Sequence, residues 1–432
     1  MRKIPGRFKA RTIDKTAICM RALAEMVLHL EMEFDHGIDA ARLEKALDLI
    51  LDAEPVLGCR FVTDTLRVYW ERLPHDRRRN FTMASSREEY DAFLSDENNP
   101  EVGPQLKGCL FKDGGKDRIA LKISHEAADA GGLKEASATL ARIYNLLAVD
   151  PGYIPEPNLK GSRSILQVLR RVPLHAIPRI YLNYLITSLK VMMPSKGLGY
   201  RIPGGRNGRP RYLMRHISAE RTASLAGYGR ARGATLNDLM MAAFIRTLAS
   251  AGGWDGASEL HSIMTIDLRR WYIPGGRAEA VCNLSTLDFV ILGNKLGSGF
   301  EDTLEIVTKV IRARKANWYG LNDYIGTMPS IWFFPARFSS WLFNRFFGTA
   351  AARGSWVNAF TNMGPITDEH TNFGKPAAQA WLIIPPMFPP LHLVGMTGYG
   401  GGLTLTGSTF DGLETQAIIE NFLDRMIEEL PE

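Results

Sequence analysis

An α+β protein of two lobes is the fold class this sequence predicts, and three observations predict it. At 432 residues the chain exceeds what one hydrophobic core usually serves. Its candidate helices and strands are mixed without the regular alternation a doubly wound sheet requires. From about 150 to 211 the composition shifts to Pro, Gly and Arg, as in DPGYIPEPNLKGSRS and GLGYRIPGGRNGRPRY, which marks a crossover between lobes. The lobes are expected at 1–160 and 211–432, each a mixed β-sheet covered by helices, with 161–210 as the linker.

In the first lobe, DAARLEKALDLILD at 39–52 puts Leu43, Ala46, Leu47, Ile50 and Leu51 on one stripe of an amphipathic helix. After a break at Pro55 to Gly58, CRFVTDTLRVYW reads as a strand. GCLFKDGGKDRIALKIS then places two apolar runs around Asp113, Gly114 and Gly115, a hairpin signal. In its second strand Ile119, Leu121 and Ile123 alternate with Ala120, Lys122 and Ser124, and His125 is the next residue out. Helical spacing resumes through Leu133, Leu140, Ile143, Tyr144 and Leu147. The stretch HEAADAGG therefore sits on a strand-to-helix loop, where a rigid scaffold displays functional side chains.

The second lobe opens on GATLNDLMMAAFIRTLA, with Thr235 capping a helix that carries Leu239, Met240, Ala243 and Leu248. Strands follow at HSIMTIDL, NLSTLDFVIL, AQAWLIIP, LHLVGMTGY and GLTLTGSTF, and ETQAIIENFLDRMIEEL closes as a helix.

Composition narrows the function classes. The chain is 45% apolar and 23% charged, with 52 basic and 46 acidic side chains for a net charge of +6. That balance favours an anionic partner, a phosphorylated co-substrate or a lipid surface, without arguing for nucleic acid. Cys19, Cys59, Cys109 and Cys282 are scattered, with no zinc spacing, as in a reducing, cytoplasmic compartment. The apolar run near the amino end is broken by Arg21 and Glu25 and is not read as a signal peptide. Residues 176–193 and 331–347 are apolar or aromatic but carry Arg179, Lys190, Arg337 and Arg345, too short or too charged to span a membrane. They read first as core helices, with an interfacial helix or a channel wall as alternatives.

His125 and Asp129, four apart at a strand end and followed by Gly131 and Gly132, are the candidate catalytic pair. A lone His is more often a hydrogen-bonded core or surface residue, and that alternative stands at this point. HEAAD supplies one His where the zinc motif HExxH needs two, so no metal is expected. No GxSxG is present, which removes the common serine hydrolase reading.

HEAADAGG resembles the HHxxxDG motif of the chloramphenicol-acetyltransferase-like superfamily, which includes nonribosomal peptide condensation domains, alcohol O-acyltransferases and wax ester synthases. Other stretches are similar to family segments in the same order: DAARLEKALDLILDAEPVLGCRF, GATLNDLMMAAF, IDLRR, FTNMGPI and GYGGGLTLTGSTFDG. The resemblance spans about residues 38 to 425. It departs from the family pattern at Ser124, in place of the first His, and at Ala130, in place of the Gly after the Asp.

The resemblance implies an acyltransferase with an active-site tunnel between the lobes and His125 near its middle. His125 is then the general base that takes the proton of an acceptor hydroxyl or amine attacking a thioester, worth about 10²- to 10⁴-fold. Asp129 is implied to be structural, paired with Arg269 or, in competition, Arg270. Asn362 and the weaker Thr361 are implied near the donor thioester as oxyanion or pantetheine contacts, although an Asn before a turn is also plain turn chemistry. TNFGKP at 371–376 reads as a structural turn. Phe334 and Trp341 are expected on the acceptor or acyl part of the tunnel, fitting a lipophilic acceptor. No permanently bound cofactor is expected; acyl-CoA, or a phosphopantetheine thioester on an acyl carrier protein acting in trans, is the co-substrate. The expected protein is a free-standing monomer, with peripheral membrane contact as an alternative. Its rivals are a carrier-dependent condensation enzyme and a non-catalytic CoA- or lipid-binding pseudoenzyme.

Overall fold

The computed structural model describes residues 3–63, 68–192, 198–204, 208–322, 324–325, 334–352 and 357–432. Residues 331–333 of the aromatic stretch, 205–207 of the glycine-rich linker and the side chains of Lys190 and Arg337 lie outside this set.

The fold is α+β, built on two mixed sheets and a small three-stranded one. In the first lobe the strand order is Gln379–Ile383, Val27–Phe34, Lys116–Ser124, Leu106–Asp113, Phe81–Ala84. The hairpin turns at Gly114 and Gly115, whose φ values of 54° and 131° favour residues without a Cβ. Leu28, Leu30, Met32 and Phe34 point to one face and meet Leu43, Leu47 and Ile50 of helix Ala40–Ala53 and Leu133 and Leu140 of helix Ala130–Val149. The expected strand CRFVTDTLRVYW is two antiparallel strands, Cys59–Thr63 and Val68–Arg72, paired with Arg7–Lys9 at the edge.

Ser285–Gly293, Leu260–Asp267, Asn358–Pro365, His392–Tyr399, Gly402–Phe410 and Pro210–Ile217 form the second sheet, in that order. Against it lies helix Leu236–Ala251, opened by a capping box between Thr235 and Asp238. From Leu239 to Ile245 every residue of this helix is buried. Helices Phe300–Lys315 and Leu413–Glu428 cover its outer side, which is why its sequence is apolar nearly all round.

Chain order and spatial order part company twice. Residues 161–210, expected as linker, include helix Ile177–Met192 and the buried Val168 and Ile180. Strand Gln379–Ile383, expected in the second lobe, pairs antiparallel with Val27–Phe34 and completes the first lobe's sheet, with Leu382 in that lobe's core. Alternation along AQAWLIIP is satisfied equally by either sheet, so the sequence does not choose between them.

Candidate active site

The sheet delivers His125. Register along Lys116–Ser124 ends at the pair Val27–Ser124, and the next amide, His125 N–H, donates to Met26 O at 2.9 Å. Ser124, just before His125, is buried and bonds Gln105 Oε1 through its hydroxyl. The chain then turns, with the Ala127 and Ala128 amides donating to Ser124 O at 2.9 and 3.2 Å, and helix Ala130–Val149 starts.

Asp129 is the N-cap of that helix. Its Oδ1 accepts from Gly132 N–H at 2.8 Å, and its Oδ2 accepts from Leu284 N–H at 2.7 Å and from Arg269 Nη1 at 2.9 Å. Both side chains of this ion pair are buried, at 4% and 1% exposure. Burial alone pushes the Asp129 carboxyl up; the Arg269 guanidinium and the two amides outweigh it and hold the group below the usual range. Arg269, not Arg270, makes the pair, and Arg270 is exposed on the cleft wall. The strand expected at HSIMTIDL ends at Asp267, and Arg269 lies in the short helix Leu268–Tyr272, capped by Asp267 at 3.0 Å. That change of direction turns the side chain back into the lobe interface, where Nη2 also donates to Cys282 O at 2.6 Å.

Three carboxylates face this one guanidinium: Asp129, Asp267 at 3.1 Å and Glu135 at 3.3 Å. With the positive charge already shared by the aspartates, burial prevails at Glu135 and pushes its carboxyl up to about 7.

Gly131 and Gly132 are required by space. A Cβ on Gly131 would lie 2.8 Å from Arg269 Nη1, and one on Gly132 would lie 2.5 Å from the backbone oxygen of Cys282 and 2.7 Å from Ala128 Cβ. Ala130, the departure from the family pattern, sits in the first helical turn and packs its methyl against the first-lobe core. The two glycines that follow carry the close approach.

Sequence reasoning missed the groups that hold the loop from outside it. Asn283 Nδ2 lies 3.2 Å from both His125 Nδ1 and His125 O. The Asn283 oxygen is fixed by the N–H and hydroxyl of Ser285, each at 3.1 Å, so the amide nitrogen faces the imidazole. Arg163 Nη2 donates to Ala127 O at 3.0 Å, and Arg21 Nε donates to the buried Glu126 at 2.7 Å. None of the three lies in a motif. Only Glu126, adjoining His125, could have prompted a search for a cation.

A cleft of about 1870 Å³ opens beside the loop, along helix Ala130–Val149 and the second lobe's 264–281 and 362–372 segments. Gly131, Arg269 and Asn362 line it, whereas His125 and Asp129 do not. Lys134, Arg142, Arg270 and Lys315 give its wall basic groups. Lys134 Nζ donates to Met363 O at 2.8 Å and Pro365 O at 3.1 Å, tying the helix to the second lobe. Asn362 spends its side chain on local structure: Oδ1 accepts from Gly364 N–H at 2.9 Å, and Nδ2 donates to Asn237 Oδ1 at 3.1 Å. Thr361 is buried and does not line the cleft; it bonds the hydroxyl of Thr265 on the neighbouring strand, which does. Phe334 and Trp341, expected on a tunnel wall, are instead 46% and 54% exposed and do not line the cleft. All four cysteines are buried free thiols. Burial pushes the Cys282 thiol, next to the site, up to about 12.

No protein-family model matches the sequence, and no curated protein sequence matches it either. Solved structures match over nearly the whole chain. The first condensation domain of the CDA synthetase aligns with a TM-score of 0.69 at 17% identity, covering 99% of this chain and 97% of that one. Polyketide synthase associated protein 5 from Mycobacterium tuberculosis aligns at 0.64 and 16% identity, covering 95% and 96%. Trichothecene 15-O-acetyltransferase (TRI3) from Fusarium sporotrichioides aligns at 0.67 and 14%, covering 96% and 94%. The chain therefore has the two-lobed fold of these condensation-domain and acetyltransferase structures.

Proposed function

We propose, from that fold and from the loop it presents, that this protein transfers an acyl group from acyl-CoA to a hydroxyl or amine, with His125 as general base. The observation that carries the reading is the construction around His125: a partly exposed imidazole on a loop pinned by the buried Asp129–Arg269 pair and by Asn283 from the other lobe. Arg142, Arg270 and Lys315 in the adjoining cleft suit the phosphates of CoA.

The chemistry follows from the groups present. A hydroxyl attacks a thioester carbonyl only as it loses its proton, and a positioned imidazole accepts that proton while the thiolate leaves with little help. For Nε2 to be the base, Nδ1 must carry the hydrogen of the neutral ring. Asn283 Nδ2, a donor 3.2 Å from Nδ1, favours the opposite tautomer, so the base role requires that amide to withdraw from the ring while keeping its 3.2 Å bond to the His125 backbone oxygen. Asp129 points into the helix terminus and Arg269, which suits support of the loop rather than contact with substrate.

Thiol release from a panel of acyl-CoAs, with mixed alcohols and amines as acceptors, tests the proposal. Acceptor-dependent release that falls by about 10²-fold or more in His125→Ala supports it. Turnover equal in both proteins sinks the base assignment. No turnover with any CoA donor, but turnover with an acylated phosphopantetheinyl carrier, replaces CoA by the carrier.

A further inference from the structure

Two helices of this protein turn apolar rows to solvent. Helix Ile177–Met192 buries Ile180 and Thr187 on its inner side and turns Tyr181, Leu182, Leu185 and Ile186 to solvent at 42–55% exposure. At 100° per residue these four share one arc, opposite the buried pair. Helix Ala336–Ala352 repeats the arrangement: Ser339 is buried at 4%, while Phe338, Trp341 and Leu342 are 41–54% exposed. Phe334, just before that helix, extends the row, with ring centroids 4.8 Å apart from Phe334 to Phe338 and 5.6 Å from Phe338 to Trp341. A surface helix ordinarily shows the reverse pattern, and a soluble monomer rarely exposes such contiguous apolar rows.

Both helices adjoin one element, helix Thr12–Met20. Ile13 at its start shares a cluster with Ile180, and helix Ala336–Ala352 packs along it. The helices that carry the two rows are thus linked through that one element.

Charge identifies what these rows fit. From Pro157 to Ala219 the chain has no Asp or Glu and 12 Lys or Arg, and from Tyr324 to Thr367 it has no Asp or Glu and 3 Arg. These two acid-free stretches are the ones that carry the outward apolar rows. Arg170 and Arg171, ahead of the first row, are exposed, as is Arg345, which lies 6.0 Å from the Trp341 ring centroid. None of the three has a carboxylate partner among the described residues. Apolar side chains flanked by unpaired cations, with an aromatic row on the boundary, match the layering of an anionic bilayer surface: acyl chains below and phosphate headgroups at the rim. Among the described residues no helix is long and apolar enough to cross a membrane, so contact would be in the plane of the interface.

We propose that helices Ile177–Met192 and Ala336–Ala352 together dock this protein peripherally on anionic phospholipid membranes. This does not depend on the acyl-transfer reading and survives its failure.

Flotation of the full-length chain with phosphatidylcholine vesicles, with and without phosphatidylglycerol, tests it. Two variants accompany the parent, Leu182→Glu/Leu185→Glu and Trp341→Glu/Leu342→Glu; all four positions are exposed, so thermal unfolding should be unchanged. The expected result is binding that requires the anionic lipid, weakens in high salt, and falls about tenfold or more in each variant. Failure of the parent to float, equal binding to both vesicle types, or variants that bind like the parent would each overturn the proposal. A concentration-dependent dimer that both variants dissolve, without vesicle binding, would assign the face to a second copy of the chain instead.

Discussion

Replacing Asp129 by Ala removes one side of a buried ion pair, and the cost can be worked from its contacts. Arg269 keeps Asp267 at 3.1 Å and Glu135 at 3.3 Å, so its charge is not left bare. What is lost is the 2.9 Å bond to Arg269, the helix cap on Gly132 N–H and the acceptor for the buried Leu284 N–H. Breaking a buried pair from one side costs about 3–5 kcal/mol, and a lost cap about 1 kcal/mol within that. We expect about 4 kcal/mol for Asp129→Ala and about the same for Arg269→Met, which strands the carboxylate and the Cys282 carbonyl. Because either single variant already loses the same Asp129–Arg269 bond, the double variant should cost about 5 kcal/mol rather than the sum, a coupling of about 3 kcal/mol. Urea unfolding followed by circular dichroism at neutral pH measures all three. Additive costs, or an Asp129→Ala loss below about 1 kcal/mol, would refute the idea that this pair is what holds the loop.

Other consequences are as direct. Gly132→Ala drives a methyl to 2.5 Å from Cys282 O and should destabilise by about 1–3 kcal/mol, whereas Ala130→Gly should cost under about 1 kcal/mol and leave turnover near the parent's; thermal melts and the thiol-release assay check both. Between pH 4.5 and about 7 the native state keeps a Glu135 proton that the unfolded chain has lost, so this group lowers stability as pH rises through that window, by about 3 kcal/mol at most. Glu135→Gln should flatten that part of the pH profile, and urea midpoints at both ends of the window that move together in parent and variant would contradict it. Asn283→Ala removes the bond that holds the His125 backbone oxygen from across the lobes. It should lower kcat by about tenfold and shift the pH profile of kcat with little change in donor KM, a combination that loosened folding alone would not give.

The sequence by itself determined what depends on neighbours along the chain. Period-two alternation through Ile119, Leu121 and Ile123 ended the strand at Ser124, so His125 was legible at a strand end and Asp129 on the loop before a helix, whereas its role as N-cap came from the structure. The helix faces of 40–53 and 130–149 followed from the same local periodicity. Glycines after Asp129 were legible as a close approach, but not what approaches: Cys282 O and the Arg269 guanidinium.

Only the tertiary structure decided which side chains reach the loop. Asn283 meets His125 across 158 residues and Arg21 meets Glu126 across 105, and neither separation leaves a repeat in the sequence; for the partner of Asp129 that the resemblance implied, the structure chose Arg269 over Arg270. Tertiary packing also moved strand Gln379–Ile383 into the first lobe's sheet and turned the aromatic row of 334–342 outward, against the expectation of a core or a tunnel wall. The physical reason is common to all of these. Hydrogen bonding along the chain fixes the period of an element within a few residues, whereas its partner, and the side of it that faces water, depend on shape and charge contributed by segments far away in sequence.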